Sequence, residues 1–149
     1  MDVDKKRWRQ WWLESLLSLA DIELQKERWL NKEIKNPHWS YVEFRCCYFD
    51  DCLFEDYAGL IKKRLVQESE YNCIKQFHQA LEEYSPPNVY DHQAILEDKK
   101  WHELTALGQV SLKKLEALIT DEAEQDIFTK RLYVSPLTAG DFSWPLPPQ

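Results

Sequence analysis

The sequence predicts an all-α, single-domain bundle of about five to six helices with an irregular, Pro-rich C-terminal tail. Three observations carry this expectation. Only 3 Gly accompany 44% hydrophobic and 30% charged residues, a composition poor in the turn formers a β sandwich needs. Apolar residues recur at three- and four-residue steps along much of the chain. Ser or Asp stands ahead of several such stretches, where a helix start requires a side-chain acceptor.

Asp4 is placed to cap a long first helix reaching to about Asn31, with Leu13, Leu16, Leu17, Ala20 and Leu24 as one apolar stripe widened by Trp8, Trp11 and Trp12. Lys5, Lys6, Arg7 and Arg9 give its start a basic character, but Glu14, Asp21, Glu23 and Glu27 would be repelled by anionic lipid, so a packed helix is preferred to a membrane-surface one. Asn36-Pro37 ends it, since proline drives its predecessor out of the helical region. Ser40-Tyr41-Val42-Glu43 reads as a capping box opening a second helix through Phe49. A strand competes over residues 41–49, where Val42, Phe44 and Cys46 alternate with Glu43 and Arg45; no second alternating segment offers it a partner.

Asp56 caps a third, short helix through Leu65, and Ser69 a fourth in which Ile74, Phe77, Leu81 and Tyr84 share a face. Pro86-Pro87 stops that helix, and a short turn or helix follows over Tyr90 to Leu96. Asp98 caps a fifth helix with Trp101, Leu104, Gly108, Leu112, Leu115 and Ile119 on one side. Gly108 in a helix interior costs about 1 kcal/mol relative to Ala, which points to close backbone packing there. The acidic run 121–126 either extends this helix or forms a loop. The helical domain is thus expected over 1–134, with residues 135–149, rich in Pro and carrying Leu137, Phe142, Trp144 and Leu146, as a strap or tail.

Charge and cysteine usage limit the function classes. The net charge is −7, and residues 1–35 carry 8 Lys+Arg against 7 Asp+Glu, so the remainder holds the acidic excess. An acidic body disfavours nucleic acid as a partner and favours a basic protein. No run of 18 apolar residues exists to span a bilayer, and Met1-Asp2-Val3-Asp4 lacks the apolar core of a secretory signal, so a cytoplasmic location is expected. Cys46, Cys47, Cys52 and Cys73 form no C-x-x-C pair and read as reduced thiols.

No nucleophile elbow, P-loop, zincin or dinucleotide fingerprint is present, and no catalytic residue, metal ligand or cofactor is assigned. Asp50 and Asp51, being adjacent, would point to different sides of a helix and make a poor acid/base dyad. His38, His78, His92 and His102 with the four Cys supply metal-ligand types, but their spacing matches no structural zinc motif. Carboxylates around Cys52 would raise its thiol pKa and blunt its reactivity.

The most informative stretch is Tyr48-Phe49-Asp50-Asp51-Cys52-Leu53-Phe54-Glu55-Asp56-Tyr57, four carboxylates among four aromatic rings. Rings are placed by burial and carboxylates by solvent, so this mixture marks either a half-buried helix end or a binding surface. Such a surface steers a basic partner to fast association and offers aromatic anchors to hold it.

The order of segments carries a resemblance. A long Trp-containing first helix leads to Asn36-Pro37-His38-Trp39 and then Tyr48-Phe49-Asp50-Asp51. A Leu-rich short helix, a helix ending Leu81–Tyr84, and Leu96-Glu97-Asp98-x-x-Trp101 follow. This pattern resembles small bacterial immunity proteins of contact-dependent growth inhibition and related polymorphic toxin systems, over roughly residues 8–119. The resemblance implies a non-catalytic cytoplasmic antidote that occludes a cognate toxin domain, with a basic nuclease the expected target. Asp50, Asp51, Glu55 and Asp56 would face toxin Lys or Arg, and Tyr48, Tyr57 and Trp39 would fill adjoining pockets. Two other classes remain open: a helical adaptor for an endogenous protein, and a small metal-dependent hydrolase built from the His and carboxylates.

Overall fold

Trp8, Trp11, Trp12, Leu13, Leu16 and Leu19 are all buried on helix α1 (Lys5–Ala20), which makes this helix the spine of the fold. Asp4 caps it by accepting from the Arg7 N–H at 3.2 Å. The computed structural model describes residues 4–30 and 40–130. Among these are eight α-helices, one π turn and no strand, so the all-α expectation holds while the helix number is exceeded.

The first extra helix arises because Asp21 divides the long helix expected to reach Asn31. Its backbone leaves the helical region, at φ −106° and ψ 89°, and its carboxylate caps α2 (Ile22–Trp29) through the Leu24 N–H. The carbonyls freed at the end of α1 are taken up by side-chain amides. Gln25 donates to the Ser18 and Leu19 oxygens, and Gln109 to Ala20 O at 2.6 Å. Gln25 in turn accepts from the indole of Trp101 at 2.9 Å, so the kink is tied into the core.

Ser40 caps α3 (Tyr41–Cys46) through the Glu43 N–H, as the capping box predicts, and residues 41–46 are helical rather than extended. The chain then widens into a π turn over Cys47–Cys52, closed by the Leu53 N–H donating to Tyr48 O at 3.0 Å. Helix α4 (Tyr57–Lys62) is shorter than the sequence suggests. It ends in a Schellman motif, with Leu65 N–H to Leu60 O and Arg64 N–H to Ile61 O, and Arg64 takes the left-handed position at φ 63°. Helix α5 (Glu68–Glu83) starts at Gln67 rather than Ser69, because Glu70 folds back to accept from the Gln67 N–H at 2.8 Å.

The residues 90–96 segment resolves into α6 (His92–Glu97), capped by Asp91. Asp98 caps α7 (Lys99–Leu118) as expected and also accepts from the Tyr84 hydroxyl, fastening the end of α5 to the start of α7. The acidic run after it neither extends α7 nor loops out; Asp121 caps a separate helix, α8 (Glu122–Lys130). The expected tail, 135–149, lies outside the described residues.

Helices α1, α5 and α7 form the central layer, with α3 and the π turn laid along α1. Gly108 marks their closest approach: a Cβ there would stand 2.7 Å from the Phe77 ring and 2.8 Å from the Ala20 methyl. Trp8, Trp11, Trp12, Trp29 and Trp101, the five described tryptophans, are all core residues. No helix among the described residues is long and apolar enough to cross a membrane.

Candidate functional site

The π turn decides what residues 48–57 present. A π turn takes more residues per turn than an α-helix, so neighbouring side chains are displaced relative to their α-helical positions. Cys47, Tyr48 and Cys52 are buried, and Asp50 and Asp51 are both exposed. Asp56 is exposed but engaged, capping α4 through the Gly59 N–H at 2.9 Å. Glu55 pairs with Lys63, which also lies over the Phe54 ring. Asp50 carries a hydrogen bond from the Cys46 thiol. Asp51 makes no ion pair among the described residues.

Tyr48 and Tyr57 do not belong to this edge as anchors. Tyr48 is fully buried and Tyr57 5% exposed, because a ring on the inner side of the π turn or at the first position of α4 faces α1 and α5. The ring of this stretch that does face solvent is Phe54, 45% exposed. Trp39, the remaining expected anchor, lies outside the described residues. The edge therefore consists of Asp50, Asp51, Phe54 and Asp56, with Glu55 neutralised by Lys63.

Beneath the edge runs a chain of hydrogen bonds. The Trp12 indole N–H donates to the Tyr57 hydroxyl at 3.0 Å, and the Tyr57 and Tyr48 hydroxyls lie 2.5 Å apart. Tyr48 Oη is 2.8 Å from His78 Nδ1, and His78 Nε2 is 2.8 Å from a Glu82 oxygen. Burial raises both phenol pKa values, and for Tyr48 the neighbouring Tyr57 adds to this. Burial likewise lowers that of His78, against the opposing pull of Glu82. A Tyr–His–Glu series has the order of a nucleophile, base and orienting acid, but a fully buried Tyr48 cannot meet a substrate. The chain braces the π turn.

The thiols are similarly occupied. Cys46, Cys47, Cys52 and Cys73 form no disulfide, and Cys47 and Cys52 are buried. Burial pushes the Cys47 and Cys52 thiols well up, with Asp51 contributing, and brings Cys46 to about 11 with the help of its hydrogen bond to Asp50. None of these three is poised as a thiolate.

The histidines serve separate structural purposes. His92 bridges Trp29 O and the Tyr41 N–H, and His102 reaches Leu96 O at 2.5 Å, while His78 belongs to the chain above. Among the described residues no three His, Cys, Asp or Glu side chains gather as a metal site. His38 lies outside them.

On another side of α1 a cleft of about 400 Å³ opens between the starts of α1 and α5 and the α7–α8 turn. Its floor is Arg9, whose five N–H groups are all used: on both carboxylate oxygens of Glu70, both of Glu124, and Leu65 O, at 2.7–3.0 Å. Burial opposes the charge on Arg9, but its hydrogen bonds to Glu124 and Glu70 hold the proton more firmly than usual. With every donor engaged, the floor fastens α1, α5 and α8 and has none to offer a ligand. The sequence groups Arg9 with Lys5, Lys6 and Arg7 at the basic start of the helix. Its spacing from Trp12, Leu13 and Leu16 places it on the buried stripe, which was the signal for a paired charge.

In comparisons with known proteins, the chain matches no protein family, no curated protein and no solved structure.

Proposed function

We propose that this chain is an immunity-type protein that neutralises a basic toxin domain, most simply a nuclease, by covering it with the Asp50–Asp51–Phe54–Asp56 edge. The observation that carries this reading is the outward display of Asp50 and Asp51 on a π turn whose inner side is fixed by a buried hydrogen-bond chain. A rigid support lowers the ordering cost of binding, so exposed carboxylates held this way contribute more than the same groups on a loose loop. The acids set the encounter rate and its salt dependence, and Phe54 supplies the apolar contact. The resemblance to polymorphic-toxin immunity proteins supports the same partner class.

The direct test pairs the chain with any toxin domain that a gene immediately upstream encodes. Co-expression is expected to restore growth, and Asp50→Lys with Asp51→Lys to abolish that protection in a folded protein. Protection undiminished by the double reversal excludes this edge as the interface. A neighbourhood with no toxin gene points instead to an adaptor for an endogenous basic partner.

A further inference from the structure

The hydrogen-bond chain beneath the edge has a property that depends on one proton. Its ends are fixed chemically, since the Trp12 indole can only donate and the Glu82 carboxylate can only accept. Between them lie Tyr57, Tyr48 and His78, giving four links: Trp12–Tyr57, Tyr57–Tyr48, Tyr48–His78 and His78–Glu82. With His78 neutral and its proton on Nε2, there is one proton for each link. Every bond then runs the same way, from Trp12 outward to Glu82. This tautomer is assigned from the bonding pattern.

A second proton on His78 breaks the count. Nδ1–H must then donate inward to Tyr48, Tyr48 donates to Tyr57, and Tyr57 already accepts from Trp12. The Tyr57 O–H is left without an acceptor among the described residues, in a side chain that is 5% exposed. An orphaned buried hydroxyl is costly. We propose that His78 is a proton-operated latch: neutral, it completes a one-way hydrogen-bond chain that holds the π turn, and protonated, it reverses that chain and loosens the turn. The proposal stands independently of what the acidic edge binds.

The groups facing His78 are accounted for on each element around it. Glu82, on its own helix, attracts the extra proton and is the nearest charge, at 2.8 Å. Tyr48 and Phe49 of the π turn and Tyr57 of α4 surround the ring with aromatic carbon, at centroid distances of 5.0–5.7 Å. Arg45 of α3 lies over the Phe49 ring and donates to Leu81 O, so this cation is engaged with a ring and a carbonyl. Trp12 of α1 is reached only through Tyr57. Burial opposes protonation and Glu82 favours it, and burial prevails, holding the imidazole below the ordinary histidine range.

NMR titration of the full chain tests this. At neutral pH the His78 ring nitrogens are expected to report the Nε2–H tautomer. As His78 titrates, the Trp12 indole N–H and the amides of residues 47–53 are expected to shift with its midpoint, below 6.5, and those amides to lose hydrogen-exchange protection on the acid side. Tyr48→Phe is expected to leave His78 titrating while the Trp12 signal stays flat. An Nδ1–H tautomer at neutral pH, a Trp12 signal indifferent to His78 in the parent, or one that follows His78 equally in Tyr48→Phe overturns the latch. Should Tyr48→Phe fail to fold, His78→Gln decides. A non-titrating amide is expected to abolish the Trp12 shift, and persistence of the shift overturns the proposal.

Discussion

Two buried polar clusters flank α1 and do opposite things with the same materials. Around Arg9, one cation and two carboxylates, Glu70 and Glu124, satisfy each other completely, tying together helices far apart in sequence. Around Tyr48, neutral hydroxyls, an imidazole and an indole form a directional chain that opens to solvent at its Glu82 end, where the side chain is 55% exposed. The first cluster is locked by charge and holds the bundle. The second is balanced by a proton count and holds the turn that displays Asp50 and Asp51. Charge fastens; neutral networks can be switched.

Removing Arg9 is the largest way to break that contrast. Arg9→Met leaves the buried Glu70 and the part-buried Glu124 without their cation and Leu65 O without its donor, and is expected to cost about 3–5 kcal/mol in denaturant unfolding. Replacing the cluster together, with Glu70→Leu and Glu124→Leu added, is expected to recover much of the loss, since apolar groups of similar volume carry no desolvation penalty. A triple variant as unstable as Arg9→Met would mean that geometry rather than uncompensated charge dominates there.

The matching cut in the neutral cluster is smaller. Tyr48→Phe keeps the ring and its packing but takes the partner from both Tyr57 and His78 Nδ1, and is expected to cost about 1–3 kcal/mol by the same measurement. A cost equal to that of Arg9→Met would erase the distinction between the two clusters.

Much of this architecture was legible beforehand, and the failures share a cause. The caps at Asp4, Ser40, Asp56 and Asp98 were readable because an N-cap is a local bond between residues two or three apart. The Gly108 approach was readable because a helix-interior Gly has few other uses. Asp21 was missed because the apolar stripe continues across it, and periodicity outweighed a single capping side chain. The π turn was invisible, since nothing in Cys47–Cys52 departs from an α-helical composition. It is the π turn that sets Asp50 and Asp51 outward and Tyr48 inward. His78 and Arg9 both lie on apolar faces by spacing, His78 between Ile74 and Leu81; the sequence marks them as buried but cannot name partners dozens of residues away.

Acid pH separates the clusters further, by a smaller amount. His78 has a folded pKa below its unfolded value, near 6.5, so above that range both states are neutral and the residue has no effect on stability. As the pH falls below 6.5 the unfolded chain takes up the proton first and folding loses ground, until the folded pKa is passed and the loss levels off. The parent is therefore expected to lose stability relative to His78→Gln across this window, in paired urea titrations at stepped pH. Parallel curves would show that His78 carries no proton linkage.

The smallest effect on stability belongs to the residues proposed to matter most for function. Asp50 and Asp51 are exposed, and the hydrogen bond from Cys46 to Asp50 is at the surface side of the turn. Reversing both to Lys is expected to change unfolding free energy by no more than about 0.5 kcal/mol, the usual range for surface substitutions. The same change should slow association with a basic partner and flatten its salt dependence, because steering depends on the sign of the edge and not on the core beneath it. A double reversal that instead destabilises as much as Tyr48→Phe would place these acids among the braces of the π turn. The division between a fixed inner face and a free outer one would then fail, and with it the reason for reading this edge as a surface built to meet a partner.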